Sequence, residues 1–255
     1  MNADVSTSPM KWQTRIANLF VSPSKCMESL KVSPKWKAAF IICVVLTMIS
    51  MPTALSYAQI THARLAEVSE FYFGFDYTAR VLGEDAPTSL LTDGAIGQTV
   101  SFFVRVLLLL IGPLLAAAVL YLMTKIAGGT GQFDQYYAMF MYLQIFVVIG
   151  AMTAATLGVY LEHWHDFTAL SAFVMPDGDV TMFNFNIFAS ITVFGTWAGV
   201  LAGVGVKIMN TFNREKVLLI TGLFYVLSVL FSASMMWLYF AAMRWTGSHL
   251  LAVLR

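Results

Sequence analysis

Four histidines stand out in this chain of 255 residues, and two of them, His163 and His165, sit within Glu162-His163-Trp164-His165-Asp166. Imidazole and carboxylate groups at that density suit zinc or another divalent ion. A complete ligand set needs His62 and Glu162 to converge on the pair. A His-x-His pair, moreover, points both side chains one way only on an extended strand. Ordinary membrane-boundary chemistry, an interfacial Trp164 with polar neighbours, is the competing reading. Arg105 is the one charge within an apolar stretch, and an intramembrane charge points to function. It lies about a turn from the end of that stretch, where an arginine also snorkels to headgroups. Gln144, Thr153 and Thr156 add polar groups within another stretch, but no carboxylate relay of the kind an ion-coupled carrier uses. Gly128-Gly129-Thr130-Gly131 is followed by Phe133-Asp134, whereas a phosphate cradle requires a lysine and then Ser or Thr. The glycines instead allow positive backbone angles and a tight reversal. The sequence contains no nucleophile elbow, zinc-protease helix or phosphate loop, so no catalytic set is assembled. We expect no enzyme, and no cofactor beyond a divalent metal such as zinc at the histidines.

The elements that must position these residues follow from composition. Hydrophobic residues make up 58% of the chain and charged residues 11%, against roughly 45–50% and 25% in soluble domains. This is the composition of a polytopic membrane protein. Five spans, approximately 38–58, 102–123, 137–161, 187–206 and 217–243, each hold the ~20 apolar residues that a bilayer core requires. Pro52 and Pro113 fall inside the first two and predict local kinks. Lys11, Arg15, Lys25, Lys31, Lys35 and Lys37 precede the first span, Lys125 follows the second, and Lys207, Arg214 and Lys216 follow the fourth. Placing all ten in the cytoplasm satisfies the positive-inside rule. The expected fold is therefore an all-α bundle of five transmembrane helices, N-terminus cytoplasmic and C-terminus outside.

Three organisational readings refine that picture. Residues 1–35 form a cytoplasmic segment with short amphipathic helices, 36–243 the five-helix domain, and 244–255 an outer tail. In the first, Trp12, Ile16, Leu19 and Phe20 share one helical face while Lys11 and Arg15 lie away from it. That pattern suits anionic lipid or the protein's own cytoplasmic face. Ser22-Pro23 and Ser33-Pro34 each read as a helix start, the second opening the first span; the breaker-free 59–70 extends that span. Gly195, Gly199 and Gly203, with Ala198 and Ala202, make a smooth stripe that permits close helix approach. We expect the other helices, or a second copy of the chain, to pack against it. The formal charge of +1 implies no nucleic-acid partner. Cys26 and Cys43 have neither redox-pair nor metal-knuckle spacing.

The run Leu19-Phe20-Val21-Ser22-Pro23, then Pro34-Lys35-Trp36 at the first span, resembles the opening of bacterial Yip1-domain membrane proteins. Gly128-Gly129-Thr130-Gly131-Gln132-Phe133 is similar to that family's cytoplasmic turn, and Phe194-Gly195-Thr196-Trp197 leading to Lys207 to its fourth span. The resemblance implies a five-helix domain and a non-enzymatic, membrane-organising or adaptor role in the plasma (bacterial inner) membrane. Its partners would be the lipid bilayer, a membrane or cytoplasmic protein, or a second copy. Eukaryotic members are thought to engage Rab-type GTPases and carry a long cytoplasmic N-terminal region and an Asp-Leu-Tyr-Gly-Pro motif; this chain shows neither, so no GTPase partnership is expected. A small-solute transporter or permease is the alternative, with Gln144, Thr153, Thr196 and Arg105 lining a water-accessible path.

Overall fold

The computed structural model describes residues 10–73, 95–161, 166–174 and 183–253. Among them the backbone is helical apart from short connections and one isolated β-bridge. The helices are α1 (Trp12–Val21), α2 (Pro23–Val32), α3 (Lys37–Phe73), α4 (Ala95–Ile126), α5 (Phe133–Tyr160), α6 (Ser171–Val174), α7 (Phe183–Ser190), α8 (Val193–Met209) and α9 (Arg214–Val253). Four contain stretches long and apolar enough to cross a bilayer: Lys37–Ala54, Phe102–Ile126, Phe133–Tyr160 and Arg214–Met235. α8, at 17 residues, is a shorter apolar helix. The molecule is an all-α, multi-pass membrane bundle.

The fourth span departs from expectation. A single helix over 187–206 is predicted, yet α7 ends at Ser190 and α8 starts at Val193. Nothing in Ile191-Thr192 is a helix breaker, so the cause is tertiary. Thr192 forms an antiparallel bridge with Ala169. The Leu170 N–H donates to the Ile191 carbonyl at 2.8 Å, and the Val193 N–H to the Thr168 carbonyl at 2.9 Å. Backbone groups that a continuous helix would use internally are thus satisfied by the 166–174 segment, the condition under which irregular backbone survives in a membrane protein. Thr192 then caps α8, its Oγ1 accepting the Gly195 N–H at 2.9 Å.

Two other starts and ends are informative. Ser33-Pro34 does not open the first span: Ser33 closes α2, and α3 begins at Lys37. α3 continues to Phe73, covering the predicted 59–70 extension, and both α3 and α4 run on through Pro52 and Pro113.

Burial differs among the four long apolar helices. In α5, 61% of the apolar window is buried, against 17% in α3 and 22% in α4 and α9. α5 is therefore the most buried of these four helices. α5 has no strong polar face, as suits a helix that is buried over most of its surface.

The chain divides into two compact units. One comprises Met1–Val45, Leu108–Val147 and Trp197–Tyr225; the other comprises Leu46–Leu107, Val148–Thr196 and Val226–Arg255. The first contains ten of the fifteen Lys and Arg and four of the fourteen Asp and Glu; the second contains five and ten.

Candidate functional site

Within the first unit, α1 and α2 form a helical hairpin reversed at Ser22. Pro23 takes the first position of α2, as its fixed φ and missing N–H favour. The Ser22 hydroxyl makes no capping bond. The hairpin touches α5 at two levels. At its open end Gln135 Nε2 donates to the Lys31 carbonyl at 2.8 Å. At its tip Phe20 meets Phe146 with ring centroids 4.9 Å apart. Those two α5 residues are about 16 Å apart along a helix axis. Beside the open end Trp36 sits edge-on to Tyr137 at 5.3 Å, fixing the entry to α3.

This placement departs from the predicted faces of α1 chiefly at Arg15. Arg15 is buried, 2% exposed, together with Leu19, while Trp12 and Phe20 are half-exposed and Val21 is 84% exposed. Arg15 Nε donates to Ser29 Oγ at 2.7 Å; Nη1 and Nη2 lie 3.5 Å from the Lys35 and Ser29 carbonyls. Tyr142 Oη, fully buried on α5, lies beside the Arg15 guanidinium and has it as its charge and hydrogen-bond partner, though outside ideal hydrogen-bond geometry. The adjacent Cys26 thiol is pushed up to about 11 by desolvation, with the Arg15 charge pulling partly the other way. It stays protonated at neutral pH. Packing closes the base: a Cβ on Gly205 of α8 would fall on Met139 Sδ and come within 3.4 Å of Met27 Sδ.

A second polar node joins the helix ends of the same unit. Asn210 is buried; its Nδ2 donates to Tyr136 Oη at 2.7 Å and to the Val206 carbonyl at 2.9 Å, and its Oδ1 accepts the Gly131 N–H at 3.0 Å. The glycine turn is required for two different reasons. Gly128 has φ +81°, the only positive-φ glycine among the described residues. Gly129 is needed for space, since a Cβ there would lie 2.5 Å from Asn210 Oδ1 and 2.8 Å from the Thr124 carbonyl. Lysines close other ends: Lys31 Nζ donates to the Ile208 carbonyl at 2.8 Å, and Lys216 Nζ donates to the Ala127 carbonyl.

The glycine stripe of α8 faces two environments. A Cβ on Gly199 would lie 3.0 Å from Tyr225 Cδ2, and one on Gly203 3.5 Å from Thr221 Oγ1, both on α9 of the same chain. A Cβ on Gly195 would instead lie 2.8 Å from its own cap, Thr192 Oγ1. The Yip1 domain family matches residues 17–245, from within α1 to within α9.

The chain belongs to the Yip1-domain family.

No curated protein and no solved structure matches it. In this Yip1 domain the α1–α2 hairpin from residue 17 onward lies inside the matched region. Of the residues singled out in the sequence, Arg105 is exposed on α4 and Gln144 half-buried on α5. Gln144 belongs to the first unit, and Arg105, Thr153 and Thr196 to the second. Thr153 and Thr156 hydroxyls bond back to the Ile149 and Met152 carbonyls of their own helix. Glu162, His163 and His165 lie outside the described residues, and His62 is on α3 with its side chain likewise outside the description. Among the described residues no three His, Cys, Asp or Glu side chains come together. The sequence did not single out Ser29, Tyr142, Asn210 or Gly205. Its one available signal was Arg15 itself, four residues before Leu19 and so on the same face of α1.

Proposed function

We propose that this Yip1-domain membrane protein is a non-enzymatic membrane-organising or adaptor component of the bacterial inner membrane, presenting one basic end to the cytoplasm. The observation that carries this reading is the segregation of charge. Ten Lys and Arg against four Asp and Glu fall in one compact unit, where Lys11, Lys25, Lys35, Lys37, Lys125, Lys207 and Arg214 are exposed. A cationic end of that kind attracts acidic protein surfaces or anionic lipid headgroups. The test is copurification from native membrane followed by mass spectrometry, comparing wild type with the triple variant Lys11→Gln, Lys25→Gln, Lys37→Gln. Stoichiometric acidic protein partners that the variant loses support an adaptor. Identical recoveries from wild type, variant and an unrelated multi-pass protein would refute it.

A permease is the second reading, favoured by the interruption between α7 and α8, since discontinuous helices form solute sites in many carriers. Solute flux in proteoliposomes that Thr192→Ala abolishes would establish it.

A further inference from the structure

The position of α5 in the bilayer fixes how deep the α1–α2 hairpin reaches. α5 has 28 residues, and a hydrocarbon core needs only ~20 of them. Phe146 is the fourteenth, so any ~20-residue window within α5 keeps it about five residues, or ~7 Å, or more inside the hydrocarbon. The Phe20 ring at the hairpin tip meets Phe146 with centroids 4.9 Å apart. α2 leads inward to that level along α8 as well. Lys31 bonds to the Ile208 carbonyl near the end of α8, and Met27, a turn closer to the tip, lies beside Gly205, about a turn inside α8. All of these contacts fall within the first unit.

Two separate features suit the tip to that depth. Its side chains are apolar and exposed, Phe20 at 50% and Val21 at 84%, an arrangement that water penalises and acyl chains do not. Its backbone is satisfied from within, as hydrocarbon demands. The Ser22 N–H donates to the Asn18 carbonyl at 2.8 Å, the Ser22 carbonyl accepts the Lys25 N–H at 3.0 Å, and Pro23 has no N–H to satisfy. The charges behind the tip limit its depth. Arg15 is turned inward onto Ser29 and Tyr142. Exposed Lys25 and Glu28 follow Pro23 by about 3 Å and about 7 Å along α2. A lysine so placed snorkels to water, and the shorter Glu28 requires headgroups at its own level. Of the placements open to α5, the shallow one, with its first turns outside the hydrocarbon, meets both conditions.

We infer that the α1–α2 hairpin is a re-entrant element that inserts its Phe20-Val21 tip among the acyl chains of the leaflet on the cation-rich side. The partner of this surface is lipid tails, and Lys25 and Glu28 stand at the headgroups. An α1 lying flat on the membrane would hold Trp12 and Phe20 at one depth, whereas here Trp12 is at the open end, about 12 Å shallower. The inference stands apart from the adaptor reading, since it rests on the tip and its neighbours in α5 and α8 and not on what the exposed cations attract.

The test uses the full chain in vesicles of dioleoylphosphatidylcholine and dioleoylphosphatidylglycerol. A bimane fluorophore is attached through Val21→Cys or Gln132→Cys in the Cys26→Ala, Cys43→Ala background. Lipid brominated in its acyl chains is expected to quench the label at position 21 and spare the one at 132, while aqueous iodide does the reverse. Iodide quenching as strong at position 21 as at 132 puts the tip in water and overturns the inference. Quenching of position 21 by neither reagent puts protein over the tip, a second copy or another segment, and overturns it too. Should the cysteine-free background fail to fold, the wild-type chain decides, photolabelled in the same vesicles with a phosphatidylcholine bearing an acyl-chain diazirine. Adducts are expected on Phe20 and Val21, as on Leu114 and Leu115 exposed on α4, and not on Gln132. Labelling of α4 without labelling of the tip overturns the inference.

Discussion

Gly129 and Gly203 look alike in the sequence, each a glycine among small neighbours, yet their surroundings set opposite expectations. A Cβ on Gly129 meets a buried amide oxygen at 2.5 Å and backbone at 2.8 Å, neither of which yields cheaply. Gly129→Ala should therefore cost about 1–3 kcal/mol as an overpacking defect. Gly203→Ala meets only ordinary contact at 3.5 Å and removes a helix-interior glycine, so it should be neutral or stabilising. Thermal midpoints of the two variants in detergent check the contrast, and equal losses would contradict it. Cys26 gives a pH-dependent expectation. Its thiol rises from 9.0 to about 11 in the folded protein, so the folded state holds that proton more tightly than the unfolded chain. The associated stability is present in full below pH 9 and declines as pH rises towards 11. Between those limits the midpoint of wild type should fall more steeply than that of Cys26→Ala; parallel curves would mean the thiol does not contribute.

At the scale of elements, the α7–α8 interruption rests on a small number of bonds. Thr192→Ala removes the cap on Gly195 and should cost about 1 kcal/mol, seen as a lower midpoint and faster amide exchange at Gly195. Unchanged exchange there would show that the bridge to Ala169 holds the start of α8 without the hydroxyl. This element also shows where the sequence is readable and where it is not. Apolar length marks α3, α4, α5 and α9, and Ser22-Pro23 marks the hairpin turn, because hydropathy and proline chemistry are local. Ile191-Thr192 carries no local signal, since its break is imposed by a segment some twenty residues away in sequence, at Thr168 and Leu170. Arg15 fails for a related reason. Periodicity assigns a charged residue to the wet face of α1, and only the docking of α2 and α5 makes that face the interior. The polar pair at Tyr142 was hidden likewise, a tyrosine in an apolar run giving no hint that its hydroxyl meets a guanidinium.

For the whole molecule, the distribution of charge predicts how the chain is threaded. With the cation-rich unit in the cytoplasm, single cysteines in a Cys26→Ala, Cys43→Ala background should label from opposite sides. Gln132→Cys, exposed in the first unit, should be reached by an impermeant maleimide only after the membrane is opened. Gly247→Cys should be reached in intact cells. Labelling of both from one side would overturn the arrangement.

Lys31 and Lys216, whose amines close the carbonyl ends at Ile208 and Ala127, serve at two moments in the protein's life. While a polypeptide is being inserted, positive charges flanking a span bias which side that flank stays on. Once the bundle has formed, the same amines become rivets at helix termini, where a cation also complements the helix dipole. Lys216→Arg separates the two duties: orientation survives because the charge survives, whereas a bulkier planar head no longer fits the carbonyl it sealed, and the end of α4 frays.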